Sequence, residues 1–336
     1  MSKTVLQSIN QALHGLMESD PRVVMIGEDI LDPYGGAFKV TKGLSSRFPE
    51  RVLTTPISEA AIVGVATGLA LRGQRPIVEI MFGDFLFLAG DQLVNHAAKF
   101  QWMYNDQVRV PLVVRAPMGA RRGYGPTHSQ SIEKHFMGVP GLWVVAPSIL
   151  GDPGGLLTQA TADCDGPVVF IESKTCYGRE VIDSVAGFTR TTLSDPSSPF
   201  ATTWLRHDRP ADGQLWCYGA MAPHALEAVQ SLKQNEGLSI DLIVSSQLSP
   251  APVSHMRTIA AEAGGSVWCY AEEASVDFGW SAEVSSQIAA ILQESGRSAT
   301  HVRVGAKPHP IPSGRLQEAA ALPSAADIAM RILNCF

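Results

Sequence analysis

The sequence lacks an apolar run long enough to cross a bilayer, and it has no cluster of basic residues. Its longest apolar stretch, residues 62–71, is far shorter than the roughly 20 residues that a membrane-spanning helix needs. The net charge is -6, and lysine and arginine form no long run. These absences exclude nucleic acid and anionic membranes as expected partners.

The N-terminus lacks the apolar block and the small-residue cleavage site of a secretory signal, so we expect no such signal. No C-x-x-C pair is present. The five cysteines are scattered along the chain: Cys164, Cys176, Cys217, Cys269 and Cys335. We therefore expect a reduced, cytoplasmic protein with ordinary core thiols.

What the chain does have is an alternation of strand and helix patterns. Its 336 residues are 45% hydrophobic and 17% charged, which is typical of a folded protein of about two domains. Apolar, mostly β-branched runs predict buried parallel strands at 23–26, 77–80, 111–115, 142–146 and 168–172. Helical patterns lie between them, at 59–71 and 87–100. This order predicts an α/β fold with a parallel sheet.

The pattern breaks at residues 184–211, where Ser194 to Pro199 are rich in turn formers. A second α/β unit follows, with predicted strands at 215–218, 240–244 and 267–270 and helices at 222–234 and 281–294. We therefore predict a first domain at 1–185, a linker at 186–212 and a second domain at 213–336.

The segment T-T-P-I-S-E-A-A-I-V-G, residues 54–64, is the first that suggests chemistry. Ser58 is placed to cap a helix that begins at Glu59, and an acidic first turn faces the positive end of the helix dipole. A purely structural capping glutamate explains this local pattern equally well. Ala60, Gly64 and Gly68 follow at helical spacing and fit either a helix–sheet contact or a subunit contact.

Six ordered motifs with similar spacing make the chain resemble the β subunits of thiamine-diphosphate-dependent 2-oxo acid dehydrogenases (E1). They are Y-G-G-A-F-K-V-T-K-G-L at 34–44, P-I-S-E at 56–59, R-P-I-V-E-I-M-F-G-D-F at 75–85, D-Q-L-V-N-H-A-A-K at 91–99, T-H-S-Q-S at 127–131 and P-G-L-W-V-V-A-P-S at 140–148. The resemblance covers nearly the whole chain and implies a pyrimidine-type thiamine-diphosphate-binding domain followed by a transketolase C-terminal-like domain.

The resemblance implies that Glu59 hydrogen-bonds N1′ of the cofactor's aminopyrimidine, where a shared proton favours the imino tautomer. Phe85 would stack on that ring, and Ile57 and Met81 would line the same pocket. Glu28 matches an acidic residue on a proton path between two active sites. Locally, Phe85 also fits a core position and Glu28 also fits a turn cap.

His128 is the second catalytic candidate, because it follows a loop rich in glycine and arginine (residues 121–127). By resemblance, it would stand at the mouth of the site, help to bind the 2-oxo acid and assist acyl transfer. A histidine titrates in the range that this role needs. Arg121 and Arg122 fit either an anion-binding role or ordinary solvated charge.

A further absence predicts a partner. Members of the resembled family hold Mg²⁺ and the diphosphate through G-D-G followed later by asparagine. This chain has Gly83-Asp84-Phe85 and Gly151-Asp152-Pro153 but neither G-D-G nor a P-loop. Diphosphate binding needs a metal or an array of backbone donors. The resemblance therefore implies an α2β2 heterotetramer, in which the α subunit supplies the Mg²⁺ ligands and the second domain forms the β–β contact.

Two departures from the resembled pattern lie in the second half. Ala271 stands where a histidine is usual, and Ser313 stands where an aromatic is usual. They bear on docking to a lipoyl-bearing E2 core and leave room for an acyl carrier protein as acceptor. A K⁺ site is a further expectation at residues 160–165, although Gly166 lengthens that loop.

The leading hypothesis is therefore decarboxylation of a 2-oxo acid with acyl transfer to a lipoyl or phosphopantetheine carrier. One alternative is the C-terminal subunit of a split transketolase, which moves a two-carbon ketol unit. P-I-S-E in place of the usual G-I-A-E-Q argues against it. The other alternative is an inactive scaffold. The joint presence of Glu59, Phe85 and His128 argues against that one.

Overall fold

The computed structural model describes residues 3–336. Within that range the helices are α1 (Val5–Ser19), α2 (Leu44–Arg47), α3 (Glu59–Leu71), α4 (Ala98–Met103), α5 (Pro153–Ala162), α6 (Ala222–Glu236), α7 (Val253–Glu262), α8 (Trp280–Glu294), α9 (Arg315–Ala321) and α10 (Ala325–Leu333). Among these described helices, none combines the length and apolarity required to span a bilayer.

The strands of the same range form two sheets. They are β1 (Val23–Gly27), β2 (Val52–Thr54), β3 (Arg75–Glu79), β4 (Val113–Met118), β5 (Trp143–Val145), β6 (Val168–Ser173), β7 (Phe188–Asp195), β8 (Ser198–His207), β9 (Gly213–Tyr218), β10 (Ile240–Ser245), β11 (Gln247–Ser249), β12 (Val267–Ser275) and β13 (Thr300–Ala306). The prediction of an α/β fold is confirmed.

The first sheet has the order β11-β5-β6-β4-β3-β1-β2. Its six N-terminal strands are parallel, as their continuous apolar burial predicts. β11 comes from the second half of the chain and pairs antiparallel with β5. The two halves therefore share a sheet, and they also share a core, in which Val145 and Ile149 lie in one cluster with Leu215 and Ala222.

The second sheet has the order β13-β12-β9-β10-β8-β7. β7 and β8 form an antiparallel hairpin, and β8 pairs with β10 in register from Thr202 to Leu205. Residues 186–212, which we predict as a linker, therefore contain two paired strands. β7 lies at the edge of the sheet, and none of its side chains is fully buried. The linker and the domain boundaries on either side remain a prediction.

The predicted helix at 87–100 is also only partly correct. A 3₁₀ segment (Gly83–Ala89) is followed by a π-helical segment (Gln92–Ala97) and then by α4. Apolar periodicity signals helix but does not distinguish between these three hydrogen-bond spacings. Asp84 and Phe85 lie in this 3₁₀ segment, which follows β3, and not in a regular α-helix.

Helix α1 shows how local sequence sets an element boundary. Thr4 and Gln7 form a reciprocal capping box, with each side chain accepting the other residue's backbone N–H at 3.2 and 3.0 Å. Ile9 and Leu13 follow at a spacing of four and are fully buried. Helix α1 packs on α5, and the pair covers one face of the first sheet.

Candidate functional site

The sequence-predicted site residues follow the carboxyl ends of neighbouring parallel strands. In the register of the first sheet, Gly27 at the end of β1 lies between Thr54 of β2 and Glu79 of β3. Glu28 comes directly after β1, and Glu59 opens α3 after β2. In open α/β sheets, ligands bind at this edge. The fold therefore brings Glu28 and Glu59 to one edge.

Glu59 and Glu28 form a buried acidic pair at this edge. Both are about 5% exposed or less. Burial, together with the neighbouring carboxylates of Glu59 and Asp29, raises the pKa of Glu28 to about 7. Oε1 of Glu28 is buried and has no hydrogen-bond partner within residues 3–336. A carboxyl that has one orphaned oxygen and lies next to a second carboxyl can share protons with a ligand or a partner.

The expectation that Ser58 caps α3 through its side chain is wrong. Ser58 occupies the cap position, but its hydroxyl accepts no hydrogen bond from the helix. The Ser58 backbone instead forms a hydrogen bond with the Glu28 carboxyl, and this bond opposes the rise in the pKa of that carboxyl. Glu59 remains in the first turn of α3, as predicted.

Phe85 and His128 lie in contact, within an aromatic cluster centred on Phe82. The His128 ring packs edge-on against Phe82 and Phe85, with centroids 4.9 and 5.2 Å away. Phe38 and Tyr124 contact Phe82 from other sides, at 5.7 and 5.9 Å. The structure thus joins two predicted site residues that are 43 positions apart in the sequence, and each is half-buried with part of its ring accessible.

Lys174 contacts the backbone of His128. This lysine is fully buried, its ammonium group donates to the His128 carbonyl, and it lies 5.0 Å from the Phe82 ring centroid. Burial lowers the pKa of Lys174 to about 8, against the opposing effect of Asp84. Nδ1 of His128 lies 3.0 Å from the hydroxyl of Thr127, so the other ring nitrogen is the one without a partner within residues 3–336.

A buried ion network stabilises the strand ends beneath this cluster. Arg115 donates to Glu79 at 2.7 Å and to both oxygens of Glu172 at 2.6 and 2.8 Å. Tyr177 completes it by donating to Glu172. Gly36, at φ 81°, passes so close that a Cβ there would lie 2.5 Å from Glu79 Oε1, which explains the glycine of the Y-G-G motif.

Ile57 and Met81 are placed differently from each other. Met81 is half-buried near the end of β3, whereas Ile57 is 80% exposed. Other large apolar side chains of the first half are also exposed, among them Tyr34, Leu53, Phe87 and Leu88.

Arg121 and Arg122 both have internal partners. Arg121 donates to the carbonyl of Pro323 at 2.6 Å, and Arg122 donates to that of Lys174 at 2.7 Å. The first of the two alternatives, a free anion-binding pair, therefore has little support in this geometry. Arg121 adopts a left-handed backbone conformation at φ 69°.

The loop considered for K⁺ contains a protein cation. Arg75 donates to the carbonyls of Thr161 and Cys164 at 2.7 and 3.0 Å, and it lies 3.5 Å from Asp165. Within residues 3–336, no group of three or more His, Cys, Asp and Glu side chains is arranged to hold a metal ion.

Glu272 and Glu273 of β12 are adjacent in sequence but have separate hydrogen-bond partners. Glu272 accepts the backbone N–H groups of Trp280 and Ser281, at 3.0 and 3.1 Å, and so caps α8. Gly279 passes so close to Glu272 that no side chain fits there. Glu273 turns the other way and accepts the N–H of Ala120 at 2.9 Å, in the loop that carries His128.

Sequence reasoning missed Phe82, Tyr124 and Lys174. Phe82 and Tyr124 lie inside or next to quoted motifs, but a pattern does not tell which aromatic faces the site. Lys174 follows a strand, and a lone lysine in that place carries no signal of burial.

Comparison with known proteins identifies the class first. Residues 2–179 match the family model of the transketolase pyrimidine-binding domain. The fold agrees with a split-gene transketolase solved as an inactive β4 tetramer, with a TM-score of 0.73 and 21% identity, covering 100% of this chain and 98% of that one. The N-terminal half is a pyrimidine-binding domain of the thiamine-diphosphate-dependent, transketolase-like class.

Comparison with individual curated proteins then identifies the family within this class. The β subunit of acetoin:2,6-dichlorophenolindophenol oxidoreductase from Cupriavidus necator is 36% identical over 332 residues, which are 96% of this chain and 94% of that protein. The mitochondrial pyruvate dehydrogenase E1 component subunit β-1 of Arabidopsis thaliana is 34% identical, with 97% and 87% covered. The chain belongs to the family of E1 β subunits of 2-oxo acid dehydrogenases, and a β subunit implies a separate α partner.

Proposed function

We propose that this chain is the β half of an α2β2 enzyme that decarboxylates a 2-oxo acid and transfers the acyl group to a lipoyl or phosphopantetheine carrier. The observation that carries the proposal is the buried pair of Glu28 and Glu59, beside the half-buried rings of Phe85 and His128. We place the enzyme in the cytoplasm, consistent with five cysteines that are all unpaired.

The residues present fit the pyrimidine end of thiamine diphosphate. Glu59 would hold a proton at N1′ of the aminopyrimidine, and Phe85 offers a ring face for stacking. The orphaned Oε1 of Glu28 marks a buried carboxyl that is ready to exchange a proton with Glu59. When bound, the cofactor supplies the electron sink that loss of CO2 requires.

The other half of the site would come from the α subunit. This chain has no diphosphate-binding motif, so the Mg²⁺ ligands are proposed on α. The exposed Ile57, Phe87 and Leu88 supply an apolar surface next to the site for that partner. We retain K⁺ only as an optional ligand, because Arg75 already occupies two carbonyls of the candidate loop.

His128 would act at the mouth of the pocket. Lys174 and the neighbouring aromatic rings fix the imidazole, while its second nitrogen is free to contact the 2-oxo acid or the carrier. With a lipoyl carrier, one sulfur of the disulfide would take the acyl group and the other would leave, so the disulfide is the two-electron oxidant that thioester formation requires. The imidazole would then give a proton to the leaving sulfur.

The test is reconstitution with the cognate α subunit. We expect Glu59→Gln to lower CO2 release by roughly 100-fold or more, the usual contribution of a positioned acid–base group, while the tetramer still assembles. The exposed Glu50 offers the control Glu50→Gln, which should retain wild-type turnover. Full activity in Glu59→Gln would refute the assignment.

The same preparation tests the partner and the alternative reaction. Calorimetry should show tight thiamine diphosphate binding only when both subunits are present, and micromolar affinity in this chain alone would contradict the shared site. Pyruvate, branched 2-oxo acids, hydroxypyruvate and xylulose phosphate would separate the leading function from that of a split transketolase. Turnover of the sugar phosphate alone would favour the latter.

A further inference from the structure

We infer that Glu318, on α9 of the second half, is a positioning residue for His128. It holds the loop of residues 119–130, called here the histidine loop, in the shape that acyl transfer requires. This inference rests on the proposed function, because the role of His128 is part of that proposal. Its physical basis, however, lies in contacts that can be measured without any turnover.

Glu318 is only 2% exposed, although α9 is otherwise largely exposed. Its two carboxylate oxygens accept two different backbone N–H groups of the histidine loop. Oε1 accepts that of Arg121 at 2.9 Å, and Oε2 accepts that of Gly123 at 3.0 Å. Bonds from neutral donors to a carboxylate are stronger than ordinary ones, and burial strengthens them further.

The bonded segment needs this support, because both residues have a positive φ. Gly123 adopts φ 72° at little cost, but Arg121 at φ 69° is in a region that arginine disfavours. An unusual backbone conformation persists only where its surroundings hold it. Glu318 supplies that hold together with Glu273, which accepts the N–H of Ala120.

The other end of the histidine loop is fixed by the first half. Asp84 accepts from the side chain of Gln130 at 2.8 Å, and Lys174 donates to the carbonyl of His128. Between the two anchors, the His128 N–H donates to the carbonyl of Gly125 at 3.2 Å. A shift near Arg121 therefore passes through a short stretch of chain to the imidazole.

Glu318 contacts neither Glu28 nor Glu59. Its substitution should therefore slow transfer to the carrier and leave removal of CO2 unchanged. Removal of CO2 depends on the acidic pair and on the stacking ring. Transfer to the carrier depends on His128 at the mouth. A purely structural residue would instead weaken both steps together.

The experiment uses the reconstituted α–β complex with Glu318→Gln, which keeps the volume but turns one acceptor into a donor facing an N–H. Glu318→Asp keeps both acceptors on a shorter stem. Glu236→Gln, at an exposed position in the same half, is the control. Hydrogen exchange is followed in peptides covering the histidine loop. Decarboxylation is followed with 2,6-dichlorophenolindophenol as electron acceptor, and transfer with an oxidised lipoyl domain, whose disulfide is reduced as it takes the acyl group.

We expect Glu318→Gln to raise exchange in the histidine loop and to lower kcat/KM for transfer, each by about tenfold, as loss of one charge-assisted bond implies. Dye reduction at saturating 2-oxo acid should remain near the control, and Glu318→Asp should be intermediate. Exchange equal to that of Glu236→Gln, or equal losses in both assays, would overturn the inference. An unsubstituted complex that fails to reduce the dye would instead overturn the proposed function.

Discussion

Glu28→Gln should make the free chain more stable at alkaline pH but not at acidic pH. Burial and the Glu59 carboxylate raise the pKa of Glu28 from 4.5 to about 7. The folded state therefore binds this proton more tightly than the unfolded state does. Its stabilising effect is complete below the ordinary pKa and is lost as pH rises through about 7. The rise corresponds to at most about 3 kcal/mol of unfolding free energy.

Urea unfolding of the purified chain, followed by tryptophan fluorescence, measures this difference. Near pH 4.5 wild type and Glu28→Gln should unfold at similar urea concentrations, because a protonated glutamic acid resembles glutamine. At about pH 8 the variant should be more stable by about 1–3 kcal/mol. The control Glu50→Gln should show no pH-dependent difference. A constant offset between Glu28→Gln and wild type across this range would refute the raised pKa of Glu28.

Two further substitutions test the ring and the ion network. Phe85→Ala should weaken thiamine diphosphate binding to the reconstituted complex by roughly tenfold, since a stacking contact contributes about 1 kcal/mol beyond its buried area. Calorimetry checks this, with the exposed Phe336→Ala as control, and unchanged affinity would argue against stacking. Arg115→Met should destabilise the chain by about 3–5 kcal/mol, because Glu79 and Glu172 are left buried without their cation. An unchanged urea midpoint would contradict that cost.

The sequence was most informative where one physical signal dominates. Buried β-branched runs predicted the parallel strands, since such runs have few other uses. The strands within 186–212 were not predicted, because none of the side chains of β7 is fully buried and the turn at Pro196 interrupts the pattern. An edge strand of this kind buries too little to leave a continuous apolar run. The division of residues 83–103 into 3₁₀, π and α segments could not be predicted either, because the three kinds of helix share one apolar periodicity.

The candidate site was predictable from motifs but not from local chemistry. Glu59 viewed alone fits a helix cap, and only its neighbours in space show a second buried carboxyl with an orphaned oxygen. Lys174 and Glu318 could not be predicted, because their importance arises from contacts with a loop. These contacts span 46 residues for Lys174, and 197 and 195 residues for Glu318. Long-range contacts of this kind depend on tertiary packing and leave no periodic trace.

The position of these contacts explains why a site at the edge of the first sheet needs the second half of the chain. Glu28 and Glu59 lie on strand and helix ends that the first sheet alone orders. His128 lies on a loop in which Gly119, Arg121 and Gly123, near its start, have a positive φ. The acceptors that hold this part of the loop, Glu273 and Glu318, come from β12 and α9. If the second half served only subunit contact, those carboxylates would have no reason to be buried against the histidine loop. Their burial ties the conformation of the histidine loop to the folding of both halves.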